Sequence, residues 1–216
     1  MIANRLVIMA KAPMLGRVKT RLGREVGLVE ATRCYRAMLW ALVRRLGSDP
    51  RWQTWLAVAP DSAAAHAAWP PGVGVLGQGG GDLGCRMQRL FDRMPPGPVL
   101  IVGSDIPDIA RRDIAEGFRA LGANDAVFGP ACDGGYWLVG QRRRPRIVRM
   151  FEGVRWSGPH ALEDTLANLE GLRVARLRML EDVDDMESYR RWRRQPLARF
   201  RCSSSRGMIS TKLHGM

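Results

Sequence analysis

The sequence offers few groups that could do chemistry unaided. It has three histidines, His66, His160 and His214, and four cysteines, Cys34, Cys85, Cys132 and Cys202. The histidines are scattered, and no Ser-His-Asp or Cys-His arrangement can be read from them. No two cysteines form a CxxC pair, and none has a histidine at zinc-ligand spacing. Reduced thiols, and hence a cytoplasmic protein, are expected. No apolar run approaches the ~20 residues a bilayer span needs. Residues 1–10 are largely apolar, but Lys11 follows at once. No basic region precedes them and no small-residue cleavage site follows, so a buried strand is expected there and not a signal peptide. The GxxxxGK[ST] order is missing, which excludes a P-loop.

Acidic residues are the minority. Lys and Arg number 34 against 21 Asp and Glu, a net charge of +13 over 216 residues. Such a balance suits a polyanionic partner, either phosphates or nucleic acid. It also suits arginines on solvated helix faces. Much of the excess lies in Arg142, Arg143, Arg144, Arg146 and Arg149, and in Arg190, Arg191, Arg193, Arg194, Arg199, Arg201 and Arg206. Aromatic interleaving of the kind single-strand binding uses is sparse there, which weighs against nucleic acid.

What is present is a regular alternation of strand and helix patterns. Residues 6–10, Leu-Val-Ile-Met-Ala, form a continuous apolar run, as does 99–103; both read as strands buried on two faces. Further strands are expected at 54–59, 73–76, 126–129, 136–139 and 173–177. Helices are expected at 29–46, 62–68, 83–94, 110–121, 159–169 and 186–194. Residues 11–27 read as a mobile basic loop. This alternation predicts βαβ units and an open, mostly parallel sheet in a three-layer α/β/α sandwich, with strand 99–103 central. Residues 1–200 read as one domain, and the Ser-rich residues 201–216 as a disordered tail.

Ligands of open α/β sheets bind beyond the carboxyl ends of the strands. The first strand leads into Lys11-Ala12-Pro13 and then Gly16-Arg17-Val18-Lys19-Thr20-Arg21, whose cations could wrap a phosphate chain. The strand 99–103 ends in Ser104-Asp105-Ile106-Pro107, which would project the Asp105 carboxylate into the crevice. That is a hard oxygen ligand of the kind Mg2+ uses to bridge phosphates. Asp108 and Asp113 are better placed than Asp105 to cap the next helix. Asp133-Gly134-Gly135-Tyr136 reads as a hairpin turn, as a substrate-binding tip, or as both. Asp182 and Asp184 could supply a second metal carboxylate or cap the last helix. The glycine run ending in Asp82 could hold a base or sugar.

These ordered motifs, with Gly129-Pro130, Trp156-Ser157 and Asp182-Val183-Asp184, resemble the bacterial DUF2064 family over about residues 5–195. That family is assigned to the nucleotide-diphospho-sugar transferase superfamily with its Rossmann-like GT-A fold. The resemblance implies a metal-dependent nucleotidyl- or glycosyltransferase using Mg2+ or Mn2+ and a nucleoside triphosphate or nucleotide sugar. By it, Ala10, Lys11, Arg17, Lys19, Arg21, Asp82, Gly103 and Ser104 would bind the nucleotide. Lys19, Arg21 and Asp105 would be catalytic, and Asp105 with Asp182 or Asp184 would hold the metal. Asp133, Gly134, Gly135 and Tyr136 would meet the second substrate. Two departures stand out: the first loop lacks a GGxGTR pattern, and residues 104–106 carry one carboxylate where glycosyltransferases often have a DxD pair. A non-catalytic nucleotide- or nucleic-acid-binding protein is the alternative reading. The sequence does not fix the oligomeric state, and a homodimer is among the options.

Overall fold

The structure is a computed structural model that describes residues 3–66, 69–183 and 186–194. Seven strands alternate with helices: β1 (Arg5–Lys11), α1 (Thr20–Val26), α2 (Leu28–Gly47), β2 (Gln53–Ala59), α3 (Ala63–His66), β3 (Gly74–Gly77), α4 (Leu83–Arg93) and β4 (Val99–Gly103). There follow α5 (Arg111–Ala120), β5 (Ala126–Pro130), β6 (Tyr136–Gln141), α6 (Ala161–Ala167), β7 (Val174–Arg176) and α7 (Met186–Arg194). The strands form one sheet in the order β3-β2-β1-β4-β6-β5-β7. All neighbours are parallel except β6, which runs antiparallel to both β4 and β5. The expected sandwich is present, and β4 stands at the centre of the sheet.

The continuous apolar runs are explained by burial on both faces. On one face Leu6, Ile8, Leu56, Leu100 and Val102 pack against Leu39, Leu42 and Leu46 of α2 and Ile114 and Phe118 of α5. On the other, Val7, Ala57, Val99, Ile101 and Val139 meet Met87, Leu90 and Phe91 of α4. Side chains alternate across a strand, so a strand covered on both sides must be apolar at every position. Among the charged side chains of the described residues, that of Asp113 is buried deeply, at only 2% exposed. Arg178 grips it through Nε at 2.7 Å and Nη2 at 2.8 Å, and the Ala110 N–H donates to it at 2.7 Å. Burial alone would raise its pKa, but these bonds together hold the carboxyl below the usual range. Asp113 thereby caps α5 and leaves Asp105 free of that task.

The order of the strands creates the ligand crevice. The chain steps from β1 to β2 to β3 on one side, then crosses back so that β4 lies on the other side of β1. Beyond the carboxyl ends of β1 and β4 the connections diverge, which opens a crevice at the switch point. One expectation is corrected beside it. Residues 11–27 are not a loop throughout, because Thr20–Val26 form α1. Its Leu22 is fully buried with Ala31 and Met38 of α2, and Tyr189 of α7 joins them. Seven residues carrying Gly23 give too short a pattern to betray a helix, which here is held by packing and not by propensity.

Candidate functional site

A cavity of about 480 Å³ occupies the crevice. Its walls are the last residues of β1 (Met9, Ala10, Lys11), the entry to α1 (Val18 to Arg21) and the end of β4 with its exit (Ile101 to Asp105). Leu83, Arg86 and Met87 of α4 and Tyr136 and Trp137 of β6 close it.

Lys19 and Asp105 meet in its wall. The Lys19 Nζ lies 3.0 Å from Asp105 Oδ1. The lysine side chain is 3% exposed, whereas that of the aspartate is 48% exposed. Lys19 caps α1 with φ 47° and ψ 45°, a left-handed conformation. Such a conformation costs a residue with a Cβ roughly 1–2 kcal/mol. It persists only where the surroundings fix it, and such strain gathers at functional sites. Here it turns the ammonium inward to the carboxylate at the tip of β4. The expectation that Lys19 sits on a mobile, exposed loop is corrected accordingly.

Two residues whose polar contacts no sequence pattern reveals, Tyr35 and Gln78, also line the cavity. Tyr35 belongs to the apolar face of α2, but its hydroxyl donates to Lys11 O at 3.0 Å and accepts from Lys11 N at 2.9 Å. It also lies 3.1 Å from Ser104 Oγ, so it clasps the ends of β1 and β4 together. Burial pushes the phenol's pKa up and the Asp105 charge adds to that, so Tyr35 stays protonated as a clasp requires. Gln78 follows β3 and is 5% exposed. Its amide Nε2 donates to Ala10 O at 3.0 Å and Ala57 O at 2.9 Å. Two carbonyl acceptors demand the NH2 group, which fixes how the amide is turned. A lone glutamine before a glycine run carries no signal that it will be buried.

Of the residues expected to bind nucleotide, Ala10, Lys11, Lys19, Arg21, Gly103 and Ser104 line this cavity. Arg17 and Asp82 do not. Asp82 is the N-cap of α4 and accepts from Cys85 N at 2.8 Å; that bond holds its carboxyl below the usual range. Of the second-substrate residues only Tyr136 lines the cavity. The Asp133 carboxylate accepts from Gly135 N at 2.9 Å within the turn. Gly134 has φ 83°, and a Cβ there would stand 2.2 Å from Pro159 O. We therefore expect Gly134→Ala to lower stability by several kcal/mol, from the left-handed φ together with a clash against rigid backbone. A denaturant melt within about 0.5 kcal/mol of wild type would contradict this.

The Asp182 segment does come to Asp105. The Val183 N–H donates to Asp105 O at 3.1 Å, which lays residues 182–183 along the exit from β4. Asp184 lies outside the described residues. Among the described residues no three His, Cys, Asp or Glu stand together as a closed metal cage. His160 is not isolated, for its Nδ1 lies 3.5 Å from Glu163 on the same helix.

The family described as "Uncharacterized protein conserved in bacteria (DUF2064)" matches residues 42–158, more than half of the chain. The chain belongs to the DUF2064 family. This DUF2064 protein matches no curated protein. Among solved structures it is similar to a protein of Desulfovibrio desulfuricans provisionally called a nucleotide-diphospho-sugar transferase. That match has 30% identity and a TM-score of 0.82, over 92% of this chain and 94% of the other. The fold is shared with 4-diphosphocytidyl-2C-methyl-D-erythritol synthase of Anaerococcus prevotii, at 12% identity and TM-score 0.56 over 87% and 94% of the two chains. It is shared also with Rv0371C of Mycobacterium tuberculosis, solved as a manganese complex, at 20% identity and TM-score 0.50 over 88% and 97%. The DUF2064 chain thus carries the fold of nucleotidyl- and nucleotide-sugar transferases.

Proposed function

We propose that this transferase moves a nucleotidyl group from a nucleoside triphosphate to a phosphate-bearing acceptor, with Mg2+ or Mn2+ assisting. The observation that carries the reading is Lys19: a buried cation, held in a strained backbone conformation, beside a half-exposed carboxylate at the sheet's switch point. Burying a charge and straining a backbone both cost stability, and a phosphate-binding role accounts for both.

In this reading the triphosphate lies across the ends of β1 and β4. Lys19 gives a point charge and Arg21 a planar donor pair to its oxygens. An acceptor phosphate oxygen attacks the α-phosphorus, the bond to the β-phosphate bridging oxygen breaks, and pyrophosphate leaves. Charge grows on the leaving oxygens, where fixed cations stabilise the transition state more than the ground state. The Tyr35 clasp keeps the two strand ends at constant spacing, so the cations need not reorganise.

The residues present fit a divalent cation shared with substrate. Mg2+ takes one or two carboxylates and completes its shell with water and phosphate oxygens. Asp105 offers one such carboxylate, and its main-chain bond to Val183 supports Asp182, of the two aspartates, as the other. A bound cation would neutralise the phosphates and polarise their oxygens. The manganese complex of the mycobacterial fold relative is in keeping with this choice.

Glycosyl transfer from a nucleotide sugar would use the same phosphate contacts, and the name of the Desulfovibrio relative favours it. A thermal-shift panel separates the two. Nucleotidyl transfer predicts the largest metal-dependent rise in Tm with a nucleoside triphosphate, about 2.7 kcal/mol of added stability at a hundredfold excess over Kd. It also predicts pyrophosphate release with phosphorylated acceptors. Nucleoside diphosphate release from a nucleotide sugar would favour glycosyl transfer. No metal-dependent shift with any nucleotide would overturn both.

A further inference from the structure

The described residues expose six large apolar side chains; four stand on the one stretch of chain whose residues 18–21 line this cavity, and a fifth lines the cavity itself. Met14, Leu15, Leu28 and Val29 stand on the segment that leads from β1 through α1 into α2, and Leu83 lines the cavity itself. Leu15 and Val29 are the most exposed, at 61% and 60%. Two stretches of chain build one patch: a Cβ at Gly16 would lie 3.8 Å from Leu28 Cδ1, so the turn carrying Met14 and Leu15 abuts the start of α2. Side chains of this size scattered singly would need no explanation, but a cluster does.

The surroundings of the patch are strongly basic. From residue 11 to residue 36 the chain carries seven Lys and Arg against two Glu. Arg17, Arg21, Arg24 and Arg33 are exposed among them, and Arg33 follows Val29 by one helical turn. Apolar side chains ringed by cations match a bilayer surface with anionic headgroups: the side chains sink below the headgroups and the guanidiniums pair with lipid phosphates. A second copy of the same face would set these cations against each other. No helix among the described residues is long and apolar enough to cross a membrane, so the contact would be peripheral.

We propose that this face docks on an anionic lipid surface and presents the cavity to a phosphate-bearing acceptor embedded there. The acceptor class rests on the nucleotidyl-transfer reading above; the docking does not. An acceptor anchored in the plane would arrive at a cavity mouth already turned toward it. Its lipid part would stay in the bilayer while its phosphate enters between Arg21 and Lys19. This gives the exposed apolar side chains a task that a freely dissolved acceptor would leave unexplained.

The test is vesicle co-sedimentation of the full chain without nucleotide. Phosphatidylcholine vesicles would be compared with vesicles containing roughly one-third phosphatidylglycerol, at low and high salt. Because a chain of this charge adheres to anionic vesicles by electrostatics alone, the deciding variant is neutral: Leu15→Ser with Val29→Ser. We expect wild type to bind only the anionic vesicles. The double variant should bind them about tenfold more weakly, the scale of two side chains partly sunk in the headgroup region. Its triphosphate binding in solution should be unchanged, since neither residue lines the cavity. Equal binding of wild type and variant to anionic vesicles would overturn the proposal. So would a wild-type dimer in sedimentation velocity that the same substitutions split into monomers without altering vesicle binding. Failure of triphosphate binding with vesicle binding intact would strike the nucleotidyl reading and leave the docking face standing.

Discussion

Lys19→Gly is expected to lower nucleoside triphosphate affinity by 10- to 100-fold, about 1.4–2.8 kcal/mol, the strength of a charge-assisted hydrogen bond with some desolvation. Folding should change by less than about 1 kcal/mol, because two effects oppose each other. Glycine accepts φ 47° without the Cβ penalty of roughly 1–2 kcal/mol that lysine bears. Against this stands the loss of the ion pair with Asp105 and of the lysine stem's packing. Lys19→Ala should bind nucleotide as poorly and also be less stable, because alanine keeps the strain and loses the pair. The two variants therefore separate strain from charge. Calorimetry showing unchanged affinity in Lys19→Gly would remove the phosphate-binding role. Equal unfolding midpoints for the Gly and Ala variants would show that the left-handed backbone stores no strain.

Asp105→Asn is expected to abolish metal-dependent turnover, with a fall of at least about 100-fold, while the fold persists. The carboxylate is half-exposed and its side chain pairs with Lys19. Its main-chain oxygen, not its side chain, receives the Val183 N–H. The amide keeps shape and main-chain contacts but is a far weaker ligand for a hard cation. The loss of a group that stabilises charge in the transition state is worth roughly 2.7–4 kcal/mol in comparable sites. A structural role predicts the reverse pattern, with lower stability and unaltered metal response. Paired measurements of the unfolding midpoint and of magnesium-dependent turnover distinguish the two. A variant as active as wild type would make Asp105 structural.

The legible parts of the fold are those where one physical constraint acts alone. Strands 99–103 and 6–10 are buried on both faces, so nothing competes with hydrophobicity at any position, and both were readable as apolar runs. Asp105 was legible for the same reason: a carboxylate two residues past such a run stands at the carboxyl end of the strand. Helix α1 was hidden because Gly23 interrupts and Gly27 ends a seven-residue segment whose helicity depends on Leu22 reaching α2 and α7. Tyr35 shows a different limit. Helical spacing placed its ring correctly on the buried face of α2, but spacing says nothing of the strand ends its hydroxyl would find. Asp82 and Asp133 stood in glycine-rich motifs that suit ligand loops. In the structure their carboxylates serve the local backbone, as a helix cap and a turn. Short-range hydrogen bonds of that kind compete with ligand roles wherever Asp stands beside glycine.

A crystal structure with a non-hydrolysable nucleoside triphosphate and Mg2+ tests the phosphate site most directly. Phosphate oxygens are expected within hydrogen-bond distance of Lys19 Nζ and Arg21, beyond the ends of β1 and β4. An Asp105 oxygen is expected on the ion at ~2.0–2.1 Å, the Mg–O distance. A triphosphate bound elsewhere, or bound in the cavity with Lys19 still paired to Asp105 and no ion between carboxylate and phosphate, would contradict this placement.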